Sequence, residues 1–313
     1  MLGVVLATLV TGCADSGPGA RPAVSTPSVG SRSAPASSPS AAGTRGPAAV
    51  SRPTKLLTII EENHGEQAAL AQMPYLAALS GTYGRTSAYS AVAHPSLPNY
   101  LALVGGSTFG VTDDASPDAH PLSGPSVFDQ AISAGRTAKA YIEAMPSPCA
   151  LSSNGRYAVR HNPWTYFADP AERAHCRAHD VPAGTPSAGP LHDDVTAGTL
   201  PTLGWVTPDL CNDAHDCPPR VADDWLHSWL PVIMGGPDFR AGRLAVVVTF
   251  DEAEGSGANT VLTTLIAPGV RHVVSTTSCS HYCWTQYAAE LAGAPPLRQA
   301  ATSTSLSTAF GLD

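Results

Sequence analysis

LAVVVTFDE, residues 244–252, decides the fold class. Seven apolar or β-branched residues follow one another without polar alternation, which marks a strand buried on both faces, as in a parallel sheet. The run stops in two acids, Asp251 and Glu252. A second run, Leu56-Leu57-Thr58-Ile59-Ile60, has the same character and stops in Glu61-Glu62-Asn63-His64. Further strands are expected over 138–142, 203–207 and 261–266, the one over 203–207 ending in Pro208-Asp209. Helical patterns lie between them, over 66–80, 222–234 and 282–292. Strands alternating with helices predict an α/β domain with a central, mainly parallel sheet. Ligands of such sheets bind beyond the carboxyl ends of the strands. The acids that follow these strands, Glu61-Glu62-Asn63, Asp209 and Asp251-Glu252, are therefore expected to gather on one edge.

A different feature is expected at the same edge. In AHPSLPNYLALVGG, residues 93–106, prolines rigidify the backbone ahead of an apolar run closed by glycines. Proline is tolerated in the first turn of a helix, so Ser96 is placed at a helix entrance. Two readings stand open there: an N-cap, or a hydroxyl meeting a phosphate where free N–H groups and the helix dipole favour an anion. Carboxylates packed together repel unless a cation neutralises them. The oxygen-rich set Glu62, Asn63, Asp251 and Glu252 predicts a divalent ion, Ca²⁺, Mg²⁺ or Mn²⁺, or Zn²⁺ if histidines join. Such an ion beside Ser96 would lower the pKa of its hydroxyl and screen an incoming phosphate.

Composition limits the alternatives. The chain has 313 residues and a formal charge of −8, which disfavours a nucleic-acid partner. Residues 2–11 are apolar but too few to span a bilayer. With Thr11-Gly12-Cys13 they resemble the lipobox of bacterial lipoproteins, although no Lys or Arg precedes them. Residues 1–13 are thus expected to be a leader, with Cys13 lipidated and holding the protein on the outer face of the cell membrane, or the protein secreted outright. Residues 14–53, rich in Ser, Ala, Pro and Gly, suit a disordered tether, and residues 54–313 are expected to be the catalytic domain. Six cysteines remain, an even number that suggests three disulfides in an exported protein. Nearest-neighbour pairing, 149–176, 211–217 and 279–283, would staple three local loops. Their spacing lacks the CxxC pair of a zinc–thiolate site.

Six motifs in order carry a resemblance: Glu62-Asn63 after the first strand, then HPSLPNYLAL, YAVRHNPWTYF, TPDLCNDAHDC, TFDE and SHY. From about Lys55 to the C-terminus the chain is similar to bacterial phosphoesterases of the phospholipase C/acid phosphatase family, and looks closest to the short secreted acid phosphatases. The resemblance implies the alkaline-phosphatase-like fold, a three-layer α/β/α domain. It implies a divalent metal held by Glu62, Asn63, Ser96, Asp251 and Glu252, with Ser96 as nucleophile. It implies that His281, with Asp213 and His215, lines the phosphate site or holds a second metal. It further implies that Arg160 and His161 contact phosphate or the leaving group, His161 and His281 being candidates for proton transfer. The substrate would be a phosphorylated small molecule or a phospholipid headgroup. Three positions depart from the family pattern: Phe250 stands where Trp is usual, Ala222 where Gly precedes Asp-x-Trp-Leu, and Asp209 where many members carry Asn. A phosphodiesterase using the same site, and a lipoprotein that binds phosphate or metal without turnover, are the competing readings. An acyl hydrolase is disfavoured, because no G-x-S-x-G elbow surrounds Ser96.

Overall fold

The strands expected from buried runs form the middle of the sheet in the computed structural model, which describes residues 52–255 and 257–312. These residues fall within one unit, Ala49–Asp313. The expected leader, Cys13 and most of the tether lie outside the described residues.

In chain order the strands are β1 (Lys55–Glu61), β2 (Gly84–Thr86), β3 (Tyr89–Ser90), β4 (Ala138–Ile142), β5 (Asp180–Pro182), β6 (Leu203–Thr207), β7 (Leu244–Phe250), β8 (Thr263–Ile266), β9 (Val273–Ser275) and β10 (Cys279–Ser280). The principal helices are α1 (Glu66–Gln72), α2 (Pro74–Thr82), α3 (Ser96–Gly105), α4 (Val127–Ser133), α5 (Pro170–His179), α6 (Pro190–Ala197), α7 (Pro219–Gly235), α8 (Pro237–Arg240), α9 (His281–Ala292) and α10 (Leu306–Ala309). Eight strands make one sheet in the order β5-β4-β6-β1-β7-β8-β2-β9. All neighbours pair in parallel except β8, which is antiparallel to both β7 and β2. Helices α3, α4 and α9 pack together over one face, and α1, α2, α6 and α7 over the other. This is the three-layer α/β/α arrangement.

Strand β1 sits at the centre because it is flanked on both sides: Leu56 pairs with Leu203 of β6 and with Ala245 of β7. All seven residues of β7 are buried. The indole N–H groups beneath α9 are paired, as buried tryptophans require: Trp284 donates to Thr58 Oγ1 at 2.8 Å and Trp205 to Thr207 Oγ1 at 2.9 Å.

The expected helix over 66–80 is two helices. Pro74 cannot donate an N–H and disfavours helical backbone at the residue before it; Met73 accordingly leaves the helix (φ −119°, ψ 76°) and Pro74 starts α2. Two of the three expected disulfides are present, Cys149–Cys176 and Cys211–Cys217. The third is not: Cys279 and Cys283 are buried thiols. They flank the first turn of α9, where Cys283 Sγ accepts the Ser280 N–H at 3.4 Å.

Candidate active site

The carboxyl ends of β1 and β7 and the N-terminus of α3 converge, so that segments far apart in sequence meet at Glu62. The Glu62 side chain is fully buried. Its Oε2 accepts the Ser96 hydroxyl at 3.0 Å, and its Oε1 accepts the Tyr100 hydroxyl at 2.6 Å. His161 Nε2 lies 3.2 Å from the same Oε1 but out of hydrogen-bond alignment. Burial holds the Glu62 carboxyl well above the ordinary glutamate range, and Asp251 and Asp213 push in the same direction; the two hydroxyl donors oppose them.

Asn63 turns the chain out of β1 in the left-handed region (φ 56°), a conformation Asn tolerates better than most residues. Its N–H donates to Asp251 Oδ1 at 3.0 Å, tying the ends of β1 and β7 together. Asp251 Oδ2 is buried without a partner. Burial raises the Asp251 carboxyl to about 7, against the hydrogen bond from the Asn63 N–H and the nearby Ser96 hydroxyl. Glu252 is raised to about 8 by burial and by Asp251. His94 contacts this cluster: its Nδ1 is 2.7 Å from Glu252 Oε2. Asn99, one turn into α3, anchors the loop before it by accepting the Val92 and Ala93 N–H groups. Two carboxylates, Glu62 and Asp251, and a serine thus converge with an orphaned, buried carboxylate oxygen among them, the kind of oxygen donors a hard divalent cation takes.

Ser96 is the first helical residue; the cap position belongs to Pro95. The capping alternative is therefore replaced by a hydroxyl that points at Glu62. The expected supply of free backbone donors is also reduced. Asp114 Oδ1 takes the Leu97 N–H at 2.9 Å, and Pro98 has none.

The opposite wall comes from the 3₁₀ turn Val159–His161 and the loop between Cys211 and Cys217. His161 stacks flat on Tyr100 (5.2 Å between centroids, 6° between planes) and its Nδ1 is 3.2 Å from Asp213 Oδ2. Burial keeps the His161 imidazole well below its usual pKa, with Arg160 and His215 adding to the effect. Asp213 Oδ1 accepts the His215 N–H at 2.8 Å, and burial raises this carboxyl to about 7. Arg160 Nη2 donates to His215 Nε2 at 3.0 Å, and Arg160 Nε lies 3.9 Å from Asp114 Oδ2.

Three expected positions fall differently. His281 is fully buried behind Asp251: its Nε2 donates to the Asp251 carbonyl at 2.6 Å and its Nδ1 accepts the Tyr89 hydroxyl at 3.2 Å. Burial lowers it to about 4, and in this structure both its nitrogens are committed, bracing the Asp251 backbone. Asp209 is spent in a turn, where its Oδ1 accepts the Cys211 and Asn212 N–H groups. Glu61, adjacent to Glu62 in sequence, faces Asp213, Glu143 and Asp223 with both oxygens unpartnered, and burial with these acids holds it well above its usual range. Sequence reading missed Tyr100, His94 and Asp114. Tyr100 had a signal, since it lies four residues after Ser96 and therefore on the same helix face.

Residues 68–260 match the sequence profile of the phosphoesterase family. The chain is 30% identical over 230 residues to the phosphatidylinositol-3-phosphatase of Mycobacterium tuberculosis, covering 72% of this chain and 73% of that one. It is 31% identical over 205 residues to the phosphate-repressible acid phosphatase of Penicillium chrysogenum, covering 62% of this chain but only 47% of the fungal protein. In structure it is similar to an alkaline phosphatase superfamily protein from Vibrio parahaemolyticus, with a TM-score of 0.53, 12% identity, and coverage of 78% and 67%. The chain belongs to the phosphoesterase family, the phosphoric ester hydrolases, and carries the alkaline-phosphatase-like fold.

Proposed function

We propose that this protein is an exported, metal-dependent acid phosphatase that hydrolyses phosphate monoesters through a phosphoserine. The observation that carries this reading is Ser96, held at the start of α3 with its hydroxyl 3.0 Å from Glu62 Oε2 and beside the Asp251 carboxyl. Glu62, Asn63, Ser96, Asp251 and Glu252 would hold a divalent cation, which when bound supplies charge neutralisation and Lewis acidity at the reacting oxygens.

The residues then act as follows. Ser96 releases its proton toward Glu62 Oε2 and its Oγ attacks phosphorus in line with the ester oxygen. The ester P–O bond breaks, the alcohol leaves with a proton taken from water, and phosphate stays on Ser96. Arg160 and His215 face the phosphate oxygens across from Ser96. His161, held by Asp213 and stacked on Tyr100, orients Glu62. Water attacks the phosphoserine and gives up a proton to solvent, the Oγ–P bond breaks, and Ser96 recovers its proton from Glu62 as inorganic phosphate departs. Such a reaction depends mostly on positioning and charge stabilisation.

Two further parts of the reading concern the rest of the chain. Residues 1–13 serve as leader, Cys13 as lipid anchor and 14–53 as tether to a catalytic domain over 54–313. Two disulfides are consistent with an oxidising compartment. Among the described residues no helix is long and apolar enough to cross a membrane. The substrate class is a phosphorylated small molecule or lipid headgroup, in keeping with what the two relatives are named for.

The test is hydrolysis of p-nitrophenyl phosphate, bis-p-nitrophenyl phosphate and phosphatidylinositol 3-phosphate from acid to mildly alkaline pH, with and without EDTA. The expected result is monoester turnover that EDTA abolishes and that Ser96→Ala lowers by at least about 1,000-fold in kcat. Full activity in a folded Ser96→Ala protein would sink the mechanism, and preference for the bis-ester would move the assignment to a phosphodiesterase.

A further inference from the structure

We infer that the amino-terminal edge of the sheet, opposite the candidate active site, is a docking surface for an anionic phospholipid bilayer. Strand β1 runs from one edge to the other, so Lys55 and Glu62 stand roughly 20 Å apart. Charge divides along that line. Both lysines of the chain, Lys55 and Lys139, lie at the amino ends of strands, joined there by Arg52, Arg136, Arg240 and Arg243. Their acidic neighbours are Asp194, Asp238 and Glu290. The opposite edge carries Glu62, Asp114, Asp213, Asp251, Glu252 and Glu254, with Arg160 among them.

Pairing on the amino edge leaves positive charge over. Lys55 and Arg243 share Asp238, each at 2.7 Å. Lys139 pairs with Asp194 at 2.6 Å and Arg52 with Glu290 at 3.2 Å. The Arg136 and Arg240 side chains are exposed and, among the described residues, make no hydrogen bond or ion pair. Arg136 borders two hollows. One, of about 550 Å³, is also lined by Arg52, Thr54, Thr202 and Glu290. The other, of about 250 Å³, is also lined by Lys139, His179 and Asp194. Arginines at the rim of open hollows suit the phosphates of lipid headgroups.

Two observations select a bilayer as the occupant. The chain carries a formal charge of −8, so an anionic surface repels it as a whole and accepts it only by this edge, which fixes the orientation. The described chain also begins on this edge, at Arg52. Residues 1–51 join the domain here, and an anchor at Cys13 would bring this edge nearest the bilayer. Docked so, the mouth beside Ser96 opens to the medium. The consequence, which rests on the proposed function, is that the substrate is a soluble phosphate monoester rather than a headgroup of the same bilayer.

The test is sedimentation of the full chain, carrying Cys13→Ser to remove any anchor, with vesicles of equal parts phosphatidylglycerol and phosphatidylcholine or of phosphatidylcholine alone. The expected result is binding to the anionic vesicles only, falling steeply as salt rises. Arg136→Gln with Arg240→Gln should lower the partition coefficient about 25-fold, roughly fivefold per charge, with thermal unfolding unchanged. Arg220→Gln, at the start of α7, should bind as the wild type does. Equal binding to both vesicles, or wild-type binding by the double variant, would overturn the docking surface. Release by millimolar inorganic phosphate at constant ionic strength would overturn it too, by making the hollows a site for a small free anion. Vesicle-bound protein should turn over p-nitrophenyl phosphate as fast as free protein, and loss of turnover on the vesicles would overturn the orientation. Vesicle binding with no turnover in either sample would leave the docking surface standing and remove the phosphatase reading; brisk turnover without vesicle binding would do the reverse.

Discussion

Replacing Tyr100 by Phe removes one oxygen and keeps the ring that stacks on His161. The hydroxyl donates to Glu62 Oε1 at 2.6 Å inside a fully buried cluster. A hydrogen bond to a charged group contributes about 1.5–3 kcal/mol, and each ~1.4 kcal/mol is a factor of ten. If Tyr100 serves to hold Glu62 as an ionised ligand, the loss should fall on cation binding and weaken it by about 10- to 100-fold, the usual effect of deleting a ligand's supporting partner. A second consequence has a fixed sign. The Tyr100 hydroxyl is one of two groups that lower a Glu62 carboxyl otherwise held high by burial. Without it Glu62 binds its proton more tightly, and the acid limb of activity and of metal binding moves to higher pH.

The assay is p-nitrophenyl phosphate turnover against free divalent metal at several pH values, with calorimetric titration of EDTA-treated protein beside it. The half-saturating metal concentration should rise about 10- to 100-fold, while kcat at saturating metal changes little. A metal dependence and pH profile identical to the wild type would refute the argument that Tyr100 sets the charge and position of Glu62. A large fall in kcat at saturating metal would refute it differently, by placing the hydroxyl in the reaction itself.

Three other perturbations separate scaffold from site. Cys211 and Cys217 are six residues apart and close the loop that carries Asp213 and His215. Changing both to Ala should cost ~2 kcal/mol in denaturant unfolding by the loop-entropy estimate, and should raise KM for the monoester because Asp213 and His215 lose their frame; an unchanged KM would show that the loop holds its shape without the bond. Asp223 accepts the Tyr75 and Leu76 N–H groups at the start of α2. Asp223→Ala should destabilise the fold by about 1–2 kcal/mol, as loss of a cap does, with kcat unaltered, and a kcat change larger than twofold would contradict a purely structural role. Asp180, fully buried beside Asn162, is raised by burial to about 7, whereas an unfolded Asp titrates near ~3.9. The folded state binds the proton more tightly, so this stabilisation is complete below pH ~4 and is lost as pH rises toward about 7, by up to roughly 4 kcal/mol. Asp180→Asn should flatten stability across that window, and an unchanged pH slope would exclude Asp180 as its source.

The legible part of the fold was the part buried on both sides. Strands β1, β4, β6 and β7 announce themselves because a parallel strand between two helical layers has no solvent face, and their bounds follow the apolar runs closely. Strands β2, β3, β5, β9 and β10 have two or three residues each. Nothing local specifies them, because their pairing comes from distant segments that position them. Helix α4 was missed although a signal was present: Ser126 and Asp129 form a capping box.

The site divides along a similar line. Acids directly after buried strands were legible, because strand ends in such a sheet share an edge whatever the loops do. Which of two neighbouring acids faces the centre is decided by side-chain alternation. Glu61 and Glu62 are neighbours, yet Glu62 joins Ser96 while Glu61 meets Glu143 and Asp223. The family pattern's Trp before Asp-Glu is Phe250 here, and it is fully buried in the core rather than among the site groups. The substitution therefore acts on packing beneath Asp251 and leaves every proposed cation ligand in place. Tyr100 was hidden for the opposite reason. Counted as one more apolar residue of α3, it has an apolar ring that packs against His161 and Trp205 and a hydroxyl that reaches the buried Glu62 carboxylate bonded to Ser96. A helix that begins with the candidate nucleophile brings its fourth following residue back to the same face, so the residue four after such a serine is the place to look for the group that holds the serine's partner.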